Sequence, residues 1–74
     1  MNYGKAFKEI REEEQISRVS IAKQIGCTPS ALSKIENGKA TPKFATIRKF
    51  CAVTHIPVAY FYAKTMCLED YICQ

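Results

Sequence analysis

The chain has 74 residues and a formal net charge of +4. That length suits one domain near the lower limit for independent folding. No apolar run approaches the roughly 20 residues of a membrane span, and the first residues, MNYGKAFKEIREEE, lack the apolar stretch of a secretory signal; a cytoplasmic protein is therefore expected.

The charge is unevenly spread. Residues 1–16 carry a net −1 and residues 50–74 a net −1. Residues 17–49 carry Arg18, Lys23, Lys34, Lys39, Lys43, Arg48 and Lys49 against Glu36 alone. Such a basic block is the footprint of a phosphate-binding face. The four cysteines, Cys27, Cys51, Cys67 and Cys73, stand 24, 16 and 6 positions apart, and His55 is the one histidine. Zinc ligands come in closer pairs, and a cytosol keeps thiols reduced. No metal, cofactor or native disulfide is expected. Cys51 and Cys27 read as small core residues, and Cys67 and Cys73 as exposed thiols.

In chain order, the apolar spacing predicts five helices and no strands. The first covers about Tyr3 to Glu14, with Tyr3, Ala6, Phe7 and Ile10 on one side. Ser17 to Gly38 then spell two short helices joined by a tight turn. Ser17 suits an N-cap, and Ile16 and Ile21 take the N′ and N4 positions of a hydrophobic staple. Gly26 suits the left-handed end of that helix. Thr28 can cap the next, Pro29 fills its first position, and Gly38 closes it. Val19, Ala22 and Ile25 with Ile21, followed by Leu32 and Ile35, form the expected core face, against the polar Arg18, Lys23, Ser30, Ser33 and Lys34. The link Gly26-Cys27-Thr28 suits the sharp turn of a helix-turn-helix. The fourth helix is expected from about Phe44 to Val53, with Phe44, Ile47, Phe50 and Cys51 inward and Lys43, Arg48 and Lys49 outside. His55 reads as a turn residue, since histidine is enriched among non-glycine residues at positive φ. The fifth helix starts near Pro57 and covers Val58 to about Lys64. The domain is thus expected over residues 1–64, with 65–74 as a tail, helix extension or dimer arm.

These residues resemble the Cro/repressor-type helix-turn-helix DNA-binding domain, the XRE family. There the first motif helix reads roughly S-Q-x-x-L-A-x-x-x-G; here it is Ser17-Arg18-Val19-Ser20-Ile21-Ala22-Lys23-Gln24-Ile25-Gly26. The second reads roughly x-S-x-x-S-x-[IL]-E-x-G-[KR]; here it is Thr28-Pro29-Ser30-Ala31-Leu32-Ser33-Lys34-Ile35-Glu36-Asn37-Gly38-Lys39. Pro42 also fits. The resemblance runs from about Tyr3 to Tyr62, and Ile35 to Lys39 is its most specific part. It implies an all-α fold, a five-helix lambda-repressor-like helix-turn-helix domain. The family commonly has glycine where this chain has Gln15 and His55; glutamine suits a left-handed residue poorly, so the first turn is expected to differ.

The resemblance also implies roles. The third helix would enter the major groove of double-stranded DNA with Thr28 at the groove edge and Pro29, Ser30, Ser33 and Lys34 facing bases. Lys34 is the best candidate for a specific contact, to the acceptors of guanine. Arg18, at a helix start that favours an anion, would touch phosphate together with Asn37, Lys39 and Lys43. Glu36 would pair with Arg11 as a structural ion pair. A homodimer is expected through the fifth helix, at Val58, Tyr60, Phe61 and Tyr62, with Phe61 expected to pack inward beside Val58, Tyr60 or Tyr62 left for a partner or solvent, and Leu68, Tyr71 and Ile72 of the tail contributing. Dimerisation would also stabilise a small core.

The favoured function is a sequence-specific DNA-binding transcriptional regulator, a small homodimeric repressor or controller protein reading a palindromic operator, without a domain for a small-molecule ligand. The alternative is a DNA-binding antitoxin or an interaction module acting through a protein partner. An enzyme is not expected: there is no glycine-rich phosphate loop, no second histidine and no motif pairing a nucleophile with a base.

Overall fold

The computed structural model describes residues 2–66. Helix α1 spans Tyr3–Glu13, α2 Arg18–Ile25, α3 Pro29–Glu36, α4 Phe44–Thr54 and α5 Val58–Thr65, with no strand among the described residues. The starts are local chemistry. Ser17 Oγ accepts from the Ser20 amide at 3.1 Å, and Thr28 Oγ1 from the Ala31 amide at 3.0 Å. Asn2, unnoticed in the sequence, caps α1 by accepting from the Lys5 amide at 2.9 Å. Its own amide donates to the Thr65 carbonyl at 2.8 Å, tying the start of α1 to the end of α5.

The first four helices end in the same hook. The Ile16 amide reaches the Arg11 carbonyl (3.1 Å), Cys27 reaches Ala22 (2.9 Å), Lys39 reaches Lys34 (2.8 Å) and Ile56 reaches Cys51 (3.0 Å). This closure needs one left-handed residue, supplied by Gln15, Gly26, Gly38 and His55, whose φ values are 57°, 81°, 76° and 58°. Gln15 corrects the expectation of a different first turn. The residue after it, Ile16, docks on the core, and Arg11 Nη1 donates to the Ile16 carbonyl at 3.1 Å. These contacts offset a left-handed penalty of roughly 1 kcal/mol for a residue with a Cβ.

The centre of the core is aromatic. Phe7 of α1, Phe50 of α4 and Phe61 of α5 are fully buried. Their ring centroids lie 4.3 Å (Phe7–Phe50), 5.3 Å (Phe7–Phe61) and 6.0 Å (Phe50–Phe61) apart. Around them pack Ile10, Ile21, Ala22, Ile25, Leu32, Ile35, Ile47 and Cys51. Burial pushes the thiols of Cys51 and the half-buried Cys27 above the ordinary cysteine range, so both are protonated at neutral pH. Cys67, Cys73 and the other tail residues assigned above lie outside the described residues.

Three further expectations are corrected by this packing. Phe61 is core and presents nothing to a partner. Val19 is 64% exposed; the inward slot of the first turn of α2, three and four residues before Ile21 and Ala22, belongs to Arg18. Phe44 is 58% exposed; the stripe of α4 is Ile47, Phe50, Cys51 and Thr54, and Pro42 is the buried residue before the helix.

Helix α1 crosses the C-terminal end of α3 with two specialised residues. Gly4 is one: a Cβ there would stand 2.6 Å from the carbonyl oxygens of both Ile35 and Glu36. The other is Arg11. Its Nε donates to Glu36 Oε2 at 2.8 Å and its Nη2 to Oε1 at 3.3 Å. The Glu36 side chain is 1% exposed and that of Arg11 13%. A carboxylate so enclosed must be charge-compensated and hydrogen-bonded to stay ionised.

Two predictions follow this geometry. Alanine normally improves a helix interior over glycine by roughly 1 kcal/mol. Here Gly4→Ala meets backbone and is expected to lower stability by about 1–3 kcal/mol, as overpacking does, in chemical denaturation. In the same assay Arg11→Ala, which strips a buried carboxylate of its fork, is expected to cost about 3 kcal/mol or more.

Candidate nucleic-acid interface

Helix α3 turns Leu32 and Ile35 into the core. That rotation sends Pro29, Ser30, Ser33 and Lys34 outward in one stripe, continued by Asn37. Pro29, Ser30, Lys34 and Asn37 are exposed and Ser33 half-exposed. Ser33 Oγ accepts from Asn37 Nδ2 at 3.3 Å, one helical turn on. The Ser33 hydroxyl keeps its proton to donate and a second lone pair to accept. Thr28 is exposed at the start of the same helix, and its Oγ1 is held in place as the cap acceptor.

The hook after α3 differs from the other three. Where Ile16, Cys27 and Ile56 follow the left-handed residue and pack on the core, α3 is followed by exposed Lys39. Its amide is fixed to the Lys34 carbonyl, so the backbone is set while the side chain is free to meet an anion. Lys43, the residue before α4, is exposed as well, as are Arg48 and Lys49. The two serines, the asparagine and Lys34, with Lys39 just beyond, thus give α3 a polar, cationic outer stripe with no apolar side chain larger than proline.

Arg18 has a partner that sequence reasoning missed. Its Nε donates to Glu36 Oε1 at 3.2 Å, and its side chain is 44% exposed. Glu36 therefore receives two arginines, one from α1 and one from α2. The signal that could have revealed this is the inward register of Arg18 on α2, opposite the only acid of the basic block.

The residues assigned to a dimer contact separate. Phe61 is core. Val58 and Tyr62 are half-buried against it, and Tyr62 meets Tyr3 edge-on at 6.5 Å. Tyr60 is exposed, and its hydroxyl donates to Glu13 Oε1 at 3.2 Å. Lys64 Nζ joins the same carboxylate group at 3.2 Å and lies 3.7 Å from Glu9. These partners raise the Lys64 ammonium above its ordinary range, the Glu13 hydrogen bond most of all. Among the described residues, no cluster of three or more histidine, cysteine or acidic side chains could hold a metal. Among the described residues, no helix is long and apolar enough to cross a membrane.

Known proteins show the same organisation. A family model described as Helix-turn-helix matches residues 7–61. The HTH-type transcriptional regulator RghRB of Bacillus subtilis (strain 168) is 39% identical over 56 residues, covering 74% of this chain and 40% of that protein. The HTH-type transcriptional repressor RghR of the same organism is 31% identical over 70 residues, covering 93% and 52%. The HTH-type transcriptional regulator PuuR of Escherichia coli (strain K12) is 33% identical over 61 residues, covering 82% and 33%. The chain thus spans a third to about half of the length of these curated relatives. The crystal structure of the clp gene regulator ClgR from Corynebacterium glutamicum superposes with a TM-score of 0.83 at 19% identity, covering 86% of this chain and 68% of that one, which shows the fold. From its motif residues, its five helices and these relatives, the chain belongs to the helix-turn-helix family of Cro/repressor (XRE) type, the family of HTH-type transcriptional regulators.

Proposed function

We propose that this chain binds double-stranded DNA sequence-specifically and regulates transcription, with α3 in the major groove. The observation that carries the reading is the outward stripe of α3, Pro29, Ser30, Ser33, Lys34 and Asn37, on a helix held from behind by the core and by the Glu36 cluster. An α-helix fits the major groove, where each base pair presents its own pattern of donors and acceptors. Lys34 is assigned to the O6 and N7 acceptors of guanine. Ser30 and Ser33 carry hydroxyls that can donate or accept, so each can meet either kind of base-edge group. Pro29 offers only van der Waals contact, suited to a thymine methyl. Thr28 stands at the edge of the groove.

Asn37, Lys39 and Lys43 are assigned to the flanking phosphates, which set register and make affinity salt-dependent. One helix reads only a few base pairs, so a homodimer on a palindromic operator, with half-sites about one helical turn apart, is proposed as the working form. Its contact would use the open parts of Tyr60, Val58 and Tyr62. Occupying an operator in this way suits a repressor.

The test is selection of bound duplexes from a random pool, followed by binding of the recovered sequence. A palindromic motif is expected. Lys34→Ala is expected to relax preference at one base pair per half-site, a loss of about 1–3 kcal/mol of discrimination. Lys39→Ala should weaken all sequences alike and lower the salt slope by about one. Uniform losses in both variants would contradict the assignment of Lys34 to bases. Recovery of no motif would favour action through a protein partner.

A further inference from the structure

Three donor groups converge on one enclosed carboxylate. Arg11 approaches Glu36 with Nε and Nη2, and uses Nη1 on the Ile16 carbonyl. Every nitrogen of its guanidinium therefore has a partner inside the protein. That fork already neutralises Glu36. Arg18 adds a second guanidinium, so two positive charges meet one negative, and the cluster keeps a net positive charge.

The two arginines are used differently. Arg18 engages Glu36 through Nε alone, and its Nη1 and Nη2 have no partner among the described residues. Its side chain is also far more exposed than that of Arg11. A guanidinium is rigid and planar, so fixing Nε fixes where the two terminal nitrogens lie. The anchor is itself well placed. Glu36 is the last residue of α3, immediately before Asn37, Gly38 and Lys39. Arg18 is thereby held beside the C-terminal end of the helix assigned to the groove.

We propose that Glu36 is a positioning residue for DNA-backbone recognition, holding Arg18 by Nε so that its terminal nitrogens are presented to a phosphate of the duplex. This rests on the DNA-binding reading above and extends it: an acidic residue strengthens binding to a polyanion. An unrestrained surface arginine loses rotamer freedom when it grips a phosphate. Arg18 has lost part of that freedom before DNA arrives, which is the ordinary advantage of preorganisation. Glu36 does not repel the phosphate, because its charge is already compensated by Arg11.

The proposal reverses the sign that charge alone dictates. Removing an acid from a DNA-facing surface should tighten binding to DNA. If Glu36 positions Arg18, Glu36→Gln should instead weaken binding, and only while Arg18 is present. The measurement is fluorescence anisotropy of a short random-sequence duplex across a salt series. It uses the full chain, Arg18→Ala, Arg18→Lys, Glu36→Gln and the double variant Glu36→Gln/Arg18→Ala, each with its melting curve.

Arg18→Ala is expected to weaken binding several-fold and to lower the salt slope by about one. Arg18→Lys keeps the charge, but a single ammonium lacks the fork needed to hold Glu36 and a phosphate together; it should behave like Arg18→Ala, not like the unaltered chain. Glu36→Gln should weaken binding several-fold with Arg18 in place and not in the Arg18→Ala background. If Glu36→Gln fails to fold, Arg18→Lys decides the matter, because it leaves the Arg11–Glu36 pair intact. Unaltered affinity in Arg18→Lys, or tighter binding by Glu36→Gln in both backgrounds, overturns the proposal while DNA binding stands. An unaltered chain that binds no duplex even at low salt overturns the DNA-binding reading and this proposal with it.

Discussion

A carboxylate almost wholly removed from water sits where the first three helices meet. Glu36 ends α3, Arg11 reaches it from α1 and Arg18 from α2. An ionised group in such a place is tolerable only with close, hydrogen-bonded counter-charges. The requirement fixes three helices relative to one another in a chain whose apolar core is small. Gly4 lets the α1 backbone approach close enough for Arg11 to make the contact, since a Cβ there would strike the carbonyls of Ile35 and Glu36. The outward aim of α3, and with it every functional assignment, depends on this junction and on the burial of Leu32 and Ile35.

How much of this was legible in the sequence follows from how local each determinant is. Ser17, Gly26, Thr28, Pro29 and Gly38 act through their own backbone neighbourhood, so the helix-turn-helix could be read residue by residue. Gln15 could not. Its left-handed conformation is imposed by Ile16 docking on the core and by Arg11 binding the Ile16 carbonyl, both of them tertiary events. Val19 and Phe44 were misread because successive helical positions differ by only about 100°, so an apolar residue beside the inward stripe is easily counted within it. Among Tyr60, Phe61 and Tyr62 the spacing did place Phe61 beside Val58, but only the packing against Phe7 and Phe50 shows that it is wholly internal. Gly4 carried a signal, a glycine inside a helix, without saying what approached it. The second arginine on Glu36 was hidden because Arg18 is the only charged residue on the inward register of α2, a place where charge is not sought.

The same comparison separates fold from function in the hooks. Four helix ends share one hydrogen-bond geometry, and three of them use it to seat an apolar residue on the core. The fourth presents Lys39. The shared geometry is structural; the substitution of a cation for an apolar side chain at the end of α3 is the feature with a functional meaning. The α1–α5 surface, where Glu9, Glu13, Tyr60 and Lys64 meet, is acidic and internally paired, and it is unsuited to a phosphate backbone.

The central claim is that the α3 surface, and not the α1–α5 surface, meets DNA. Its most direct test is titration of the isotopically labelled full chain with a duplex, following each backbone amide by nuclear magnetic resonance. The account predicts the largest shifts at Ser30, Ser33, Lys34, Asn37 and Lys39, with Arg18 among them and Glu9, Glu13 and Tyr60 quiet. Shifts centred on Glu9, Glu13 and Tyr60 with α3 unmoved would contradict it.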